Sequence, residues 1–247
     1  HQGNVLYYFE LKSTDNRIFN WPAQAPADKF KLRIGPDYFA PSVNHNPVKI
    51  ITKEKPVLNL SAIATDNLGV NAVKIEYKID GQLKEPVLLQ NCKDNCYSAS
   101  VELMKTLKAG SKLEYRIVAE DISSRKNTKT IPSSGFYTVN VFSAMEPVTG
   151  YFNDFENGMS DFVLSDFNIS KVSGFSNSVL HTRHPYSVSA LDDEKYNLIA
   201  QLRHPVVIQQ NGKMEFDEVV LVEPGDPKAN FTDLLFWDYV IVEGSKD

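Results

Sequence analysis

The chain has 247 residues, of which 42% are hydrophobic and 11% aromatic; this is enough apolar material for a packed core and excludes an intrinsically disordered chain. The net charge of −5 argues against a polyanion-binding domain, because such domains cluster Lys and Arg to displace counterions from phosphates. No stretch approaches the roughly 18 consecutive apolar residues of a transmembrane helix. We therefore expect no nucleic-acid partner and no membrane span.

The first part of the chain contains two strand-like runs, and in the second of them apolar and basic residues alternate strictly, as in a half-buried strand. Residues 4–11 and 29–34 each predict a strand. A polar turn at 15–17 and a proline-punctuated loop at 21–26 separate them.

A series of short strands with turn residues between them follows. Strands are predicted at residues 57–65, 73–79, 97–103, 112–119 and 136–142. The pair Asp80-Gly81 is a strong hairpin signal. This density of short strands and turns is typical of an immunoglobulin-like or fibronectin-like sandwich, which we assign to residues 37–143.

The N-terminal segment echoes a strand of that sandwich. Residues 5–15 resemble residues 113–121, and each run is followed by a polar turn, a proline and another alternating strand. Residues 1–36 are therefore predicted to be the terminal strands of a preceding immunoglobulin-like module.

The composition changes in residues 147–247, where Phe, Asn, Asp and Ser become dense. Strands are predicted at 196–202, 206–209, 214–222 and 234–242, with broader loops between them. This pattern favours a jelly-roll-like module. The predicted fold class is therefore all-β, with an immunoglobulin/fibronectin-like sandwich followed by a partial jelly-roll-like sandwich.

Cys92 and Cys96 are the only cysteines, and three turn-type residues separate them. This spacing favours a disulfide across a tight loop, which would indicate an extracytoplasmic compartment. Two free thiols are the main alternative. A metal site is disfavoured, because zinc needs four ligands and no second Cys or His pair completes the set.

Sequence motifs for catalysis are missing. The chain has no HExxH and no GxSxG, and its five histidines favour ordinary surface or packing roles. We therefore expect no enzymatic activity in this chain. A hydrolase built from scattered acids and histidines stays open as an alternative.

Short motifs throughout the chain resemble accessory modules of large secreted proteins of the Bacteroidetes type, which are often exported by the type IX system. The immunoglobulin-like part of this resemblance is carried by residues 5–9, 21–26, 34–37, 75–81 and 113–121. The last region resembles a MAM-like jelly-roll module, as seen in residues 153–156, 216–225 and 236–247. Related modules trail immune-inhibitor-type metallopeptidases and subtilisin-like peptidases.

The resemblance implies that the last strand normally continues into further strands, so the jelly roll is expected to be incomplete. Because the sequence starts at His1 and ends directly after an apolar run, we expect it to be a fragment of a longer parent protein. If that parent is a peptidase, its active site is expected outside residues 1–247.

The resembled modules often hold a structural Ca²⁺ near their first strand, with carboxylates and carbonyls as ligands. Asp154 and Glu156 alternate on a predicted strand and so share a face. The candidate calcium ligands are Asp154, Glu156, Asp217, Glu223 and Asp238. The alternative is a set of solvated acids at strand edges.

The sequence thus predicts a non-catalytic spacer and binding region of a secreted or cell-surface protein. Its main partner would be the rest of the parent polypeptide, with a glycan or protein ligand as a further candidate. Carbohydrate binding or adhesion is the first alternative, because aromatic residues cluster between Tyr151 and Phe175. Their alternating spacing favours a core role over a ligand platform.

Overall fold

The computed structural model describes residues 3–103, 107–157, 159–186, 197–223, 225–230 and 237–244. It forms two compact units, residues 1–207 and residues 208–247. In the described residues the regular structure is β, apart from a short 3₁₀ turn at Met159–Asp161. The predicted all-β fold class is confirmed. The predicted module boundaries near residues 36 and 147 stay predictions.

Two successive two-stranded sheets open the chain, and we call them together the N-terminal ribbon. Its strands are β1 (Gly3–Tyr7), β2 (Phe9–Lys12), β3 (Ile18–Trp21) and β4 (Phe30–Ile34). β1 pairs with β4 and β2 with β3, both antiparallel. The strand predicted at 4–11 is thus interrupted at Tyr8, and every residue of β1 and β2 is exposed.

The sandwich that follows contains eleven strands in two sheets. They are β5 (Ser42–His45), β6 (Ile50–Thr52), β7 (Val57–Thr65), β8 (Val70–Ile79), β9 (Gln82–Leu83), β10 (Val87–Leu88), β11 (Gln90–Lys93), β12 (Cys96–Glu102), β13 (Lys112–Asp121), β14 (Thr128–Ile131) and β15 (Tyr137–Phe142). The larger sheet has the order β10-β8-β13-β15-β6, with β9 on β8 and β14 on β13. The smaller sheet has the order β11-β12-β7-β5.

The core lies between these sheets because their central strands alternate strictly. In β7 every second residue is buried, from Leu58 to Ala64. In β13 the buried positions run from Leu113 through Tyr115 to Asp121. Apart from Asp121, the inward positions of both strands carry apolar or aromatic side chains, which form one hydrophobic cluster.

The long predicted strands of the sandwich match the structure closely. β7 has the predicted bounds, and β8 and β13 extend the predicted runs by a few residues. Asp80 and Gly81 form the two-residue hairpin loop between β8 and β9, with positive φ values of 50° and 81°. This is the backbone conformation that makes an Asp-Gly pair a hairpin signal.

Two small sheets follow the sandwich within the first unit. Their strands are β16 (Phe162–Ser165), β17 (Phe167–Lys171), β18 (Ser178–Thr182) and β19 (Ile199–Leu202). β16 pairs with β19 and β17 with β18, both antiparallel. Lys49 Nζ lies 2.9 Å from Asp166 Oδ2, so an ion pair links these sheets to the sandwich.

The strands predicted at 206–209 and 214–222 are absent from the structure, as is strand structure in the described residues 237–242. Val206 makes an isolated parallel bridge to Val148, and Val219 and Leu221 are 69% and 67% exposed. The local pattern is apolar enough for strands, but among the described residues no strand ladder includes these segments. A strand without a ladder partner leaves its backbone groups to water.

Candidate functional site

Three aspartates from separate segments converge at one end of the sandwich. Asp37 lies between β4 and β5, Asp66 follows β7, and Asp121 is the last residue of β13. One carboxylate oxygen from each lies within 4.8 Å of the other two. We call this set the Asp37–Asp66–Asp121 group.

Asp121 has no exposed surface because it continues the inward-facing row of β13. Its Oδ1 accepts hydrogen bonds from the Ser123 hydroxyl at 2.8 Å and from the backbone N–H groups of Ser123 and Asn127. Its Oδ2 accepts from Asn127 Nδ2 at 2.7 Å. Burial alone would raise the pKa of Asp121, but the donors on Asn127 and Ser123 outweigh it and lower that pKa.

Asp37 and Asp66 each use one oxygen locally. Asp66 Oδ1 accepts from the backbone N–H groups of Leu68 and Gly69, and Asp37 Oδ1 accepts from that of Phe39. The Oδ2 atom of each is buried and has no hydrogen-bond partner. Burying a carboxylate oxygen without a partner costs free energy, so each of these two oxygens calls for a hydrogen-bond donor or a cation beside it.

The sequence analysis did not identify this group. The parity of β13, which places Asp121 on the same face as Leu113, was a signal that could have found its buried member. Asp37 and Asp66 gave no such signal, because acids in turns are common. Their convergence depends on the sandwich topology.

The structure places the predicted calcium ligands Asp154 and Glu156 in a loop and not on a strand. Asp154 lines an open pocket of about 280 Å³ together with Phe152, Asn153, Asn157 and Asp161. Glu156 instead accepts hydrogen bonds from the backbone N–H and hydroxyl of Ser178. The expectation that the two carboxylates share a strand face is therefore wrong, because the chain bends between them.

The other predicted ligands, Asp217, Glu223 and Asp238, belong to the second unit. There the backbone N–H of Asp238 donates to the carbonyl of Glu223 at 3.4 Å. None of the five predicted residues is a member of the Asp37–Asp66–Asp121 group. Calcium binding by these five residues stays a prediction.

The pocket beside Asp154 has a polar wall and an aromatic mouth. Tyr151 donates from its hydroxyl to Asp161 Oδ2 at 3.0 Å, and Asn153 Nδ2 donates to the Tyr151 hydroxyl at 2.7 Å. Burial and the neighbouring Asp161 raise the pKa of Tyr151. Phe152 is 86% exposed, so it does not have the core role that the spacing favoured.

Cys92 and Cys96 form a disulfide across the turn between β11 and β12, with their Cα atoms 5.2 Å apart. The turn is tight, and Lys93, Asp94 and Asn95 all have positive φ values. A disulfide is typical of proteins in an oxidising, extracytoplasmic compartment.

His45 and His181 each contact a hydroxyl group, which the sequence did not reveal. His45 is buried, and its ring nitrogens lie 2.6 Å from the Ser61 carbonyl oxygen and 2.7 Å from the Tyr115 hydroxyl. His181 Nε2 lies 2.8 Å from Ser170 Oγ on the exposed face of the β17–β18 hairpin. The Nδ1 of His181 lies 2.7 Å from the Thr182 carbonyl oxygen, so this ring nitrogen is oriented by a backbone carbonyl.

The strand pairing defines an all-β protein with a two-sheet sandwich. No family model matches the chain, and no curated protein matches it. A structure of fibronectin(III)-like modules of CbhA from Clostridium thermocellum is similar, with 14% sequence identity and a TM-score of 0.26. The match covers 57% of this chain and 62% of that chain. At a TM-score this low, the sandwich assignment rests on the strand pairing of the chain itself.

None of the described residues belongs to a helix with the length and hydropathy needed to cross a bilayer.

Proposed function

We propose that this chain is a non-catalytic accessory region of a larger secreted or cell-surface protein, in which the sandwich is a spacer. The observation that carries this proposal is that side-chain packing fills the interior of the sandwich. The inward positions of β7 and β13 are used for packing, with apolar or aromatic side chains at all but the terminal Asp121. Such a module transmits position and rigidity to neighbouring parts of a polypeptide.

The extracytoplasmic part of the proposal is supported by the Cys92–Cys96 disulfide. The resemblance to accessory modules of secreted Bacteroidetes-type proteins points the same way. If the parent is a peptidase, its active site is expected in residues other than these.

The test of a non-catalytic role is an activity screen of the whole chain against peptide, ester and glycoside substrates. We expect no turnover. The Ser170–His181 pair is the described arrangement that most resembles a hydrolase nucleophile and base. Turnover that disappears in both Ser170→Ala and His181→Asn would contradict the proposal and support the hydrolase alternative.

Carbohydrate binding is a second candidate, favoured by one observation. The ring of Phe152 is 86% exposed at a pocket whose other lining residues are Asn153, Asp154, Asn157 and Asp161. An exposed ring can stack on a sugar. The neighbouring carboxylate and amide groups can then accept hydrogen bonds from the sugar hydroxyls, and the amide groups can also donate to them.

A glycan array probed with the full chain tests this candidate. Binding should fall at least tenfold in Phe152→Ala and persist in Phe175→Ala, a matched control at a ring that is 43% exposed and does not line the pocket. Failure of the wild-type chain to bind any glycan, or equal loss in the two variants, would rule out this role for the pocket.

A further inference from the structure

We propose that residues 46–49, which connect β5 to β6, form a pH-sensitive joint between the sandwich and the two small sheets that follow it. While His45 is neutral, this connection holds the small sheets in place. When His45 is protonated, the connection loosens and the small sheets move. The inference goes beyond the spacer role and does not depend on whether the chain is catalytic.

Side chains of the connection contact the small sheets directly. Lys49 Nζ lies 2.9 Å from Asp166 Oδ2, between β16 and β17, and donates a hydrogen bond to the Asn197 carbonyl just before β19. Asn197 Nδ2 donates to Asn46 Oδ1 at 2.8 Å. The Lys49 side chain is only 16% exposed, so water and salt screen its ion pair less than they screen a typical surface pair.

The same connection is held from the core side by Tyr115. The Tyr115 hydroxyl accepts a hydrogen bond from the Val48 N–H at 2.8 Å and lies 2.7 Å from His45 Nε2. His45 Nδ1 lies 2.6 Å from the Ser61 carbonyl oxygen, so Nδ1 carries the hydrogen and the neutral Nε2 accepts from the Tyr115 hydroxyl. A continuous set of hydrogen bonds therefore runs from Ser61 to Val48, the neighbour of Lys49.

Protonation of His45 reverses the central hydrogen bond of this set. Nε2–H then donates to the Tyr115 oxygen and competes with the Val48 N–H for it. The Tyr115 hydrogen loses its acceptor inside the core, and a buried donor without a partner costs free energy. Movement of the connection away from Tyr115 admits water and relieves both effects, but it also withdraws Lys49 from Asp166.

The groups around His45 disfavour a positive charge on its ring. In the described part of the chain, most titratable side chains that face the core are tyrosines, which carry no charge between pH 5 and 7.5. They are Tyr77 of β8, Tyr97 of β12, Tyr115 of β13 and Tyr137 of β15, and Asp121 lies at the far end of β13. The charged side chains on neighbouring segments are Lys49 and Lys129 of β14, the strand beside β5.

The position of the small sheets should therefore depend on pH. Burial lowers the pKa of His45 while the joint is closed, although the Ser61 carbonyl partly opposes this. Opening exposes the ring to water and returns its pKa toward about 6.5. Between these two values opening takes up a proton, so the ratio of open to closed molecules should rise by up to about tenfold for each unit that the pH falls.

The pivot of this movement is the chain segment that leaves the sandwich after β15. Ala144 N–H donates to Glu54 Oε2 at 3.1 Å, which fixes Ala144 to the sandwich. Met145 N–H donates to the Arg203 carbonyl at 2.8 Å, directly after β19. Release of Lys49 should therefore let the small sheets rotate about residues 144–145.

The experiment measures a distance across the joint in the full chain by electron–electron double resonance at pH 7.5 and pH 5. Spin labels are attached at two exposed positions, Ser100→Cys in β12 and Gln201→Cys in β19, with the native disulfide left intact. We expect one narrow distance distribution at pH 7.5 and a second population at pH 5. An unchanged distribution at pH 5 would overturn the proposal.

A label pair within the sandwich is the matched control. Ser100→Cys with Thr138→Cys, both at exposed positions, should give one narrow distribution at both pH values. Equal broadening in the two pairs would show that the sandwich itself unfolds, and this result would also overturn the proposal.

Tyr115→Phe tests the route, because it removes the hydroxyl and keeps the buried ring. In this variant the distribution across the joint should be broad already at pH 7.5, since Val48 and His45 lose their common partner. Lys49→Met, which removes the ion pair, should have the same effect. A narrow distribution at pH 7.5 that still broadens at pH 5 in Tyr115→Phe would contradict the route through Tyr115.

His45→Gln tests the source of the pH response, because its side chain does not titrate. Its distribution should be the same at pH 7.5 and pH 5, whereas His181→Asn, at a histidine on β18, should respond as the wild type does. A persistent response in His45→Gln, or loss of the response in His181→Asn, would overturn the assignment to His45. If a variant does not fold, the wild-type pair across the joint still decides the proposal.

Discussion

The N-terminal ribbon and strand β7 of the sandwich are both rich in apolar residues but have opposite environments. Every residue of β1 and β2 is exposed, including Leu6 at 58% and Leu11 at 67%. In β7 every second residue from Leu58 to Ala64 is buried under the larger sheet. An apolar sequence can therefore form a strand in either place, whereas a core requires a second sheet that covers the apolar face of that strand.

The ribbon partly compensates by packing its aromatic rings on one another. Phe30 has its ring centroid 5.4 Å from that of Tyr7, and 6.2 Å from those of Phe9 and Trp21. Tyr7, Phe9 and Trp21 nevertheless remain 40%, 61% and 66% exposed. Ring contacts of this kind contribute far less than removal of the rings from water.

The largest expected effect comes from equal truncations in the two regions. Leu58→Ala in β7 should lower the free energy of unfolding by about 2–5 kcal/mol, because it removes a wholly buried side chain and leaves a cavity. Leu11→Ala in β2 should change it by less than about 0.5 kcal/mol. Urea denaturation measures both values. Comparable losses in the two variants would show that the ribbon is covered in solution.

The same contrast explains what the sequence predicted. Long strands such as β7 and β13 were found because their alternation is local information. The short strand β6 was missed, since it is held by parallel pairing with β15 and not by its own pattern. The strand expected at 214–222 was wrong for the converse reason, because its apolar residues have no partner strand.

The candidate site was less predictable than the fold. The disulfide could be expected because its two cysteines are close in sequence. The Asp37–Asp66–Asp121 group joins residues that are far apart along the chain, and only the folded topology brings them together. Parity along β13 could indicate that Asp121 is buried, but it could not identify its neighbours.

The second prediction concerns the covalent closure of the smaller sheet, a device that the ribbon does not contain among its described residues. Replacing both Cys92 and Cys96 by Ala should lower the free energy of unfolding by about 2 kcal/mol, a modest amount because the closed loop is short. The wild type in reducing buffer should show a similar loss. An unchanged urea midpoint in both cases would indicate that the turn is equally constrained without the disulfide.

The third prediction concerns acid sensitivity, which should affect the sandwich through His45. Since Ser61 supplies a carbonyl acceptor, His45 Nδ1 carries the hydrogen, and the neutral Nε2 accepts from the Tyr115 hydroxyl. That hydroxyl already accepts a hydrogen bond from the Val48 N–H, and the Tyr137 ring also packs beside His45. Protonated His45 would present Nε2–H to the same hydroxyl and leave the Tyr115 hydrogen without this acceptor.

Burial lowers the pKa of His45 in the folded state, although the Ser61 carbonyl partly opposes this. Between that lowered pKa and about 6.5, the unfolded chain binds more protons than the folded chain. Stability should therefore fall as the pH drops below about 6.5, by at most about 1.4 kcal/mol per pH unit from this group.

Urea midpoints between pH 7.5 and 5 measure this slope. His45→Asn should have a shallower slope, while His181→Asn, at a histidine outside the core, should keep that of the wild type. Equal slopes in the wild type and His45→Asn would remove His45 as the source of acid sensitivity.

The smallest expected effect is at the outer face of the larger sheet, which is half-buried. Arg116 Nη2 lies 2.6 Å from Glu76 Oε2 across β13 and β8, and its hydrogen bond, together with Lys74, lowers the pKa of Glu76. Arg116 is 36% exposed, so water and salt screen the pair. A double-mutant cycle with Glu76→Gln and Arg116→Gln should give a coupling of less than about 1 kcal/mol.

That coupling should shrink further in 1 M NaCl, because a surface attraction is screened while the core contacts of Leu58 are not. A coupling as large as the loss in Leu58→Ala would mean that the outer face contributes as much as the core, contrary to the difference between β7 and the ribbon.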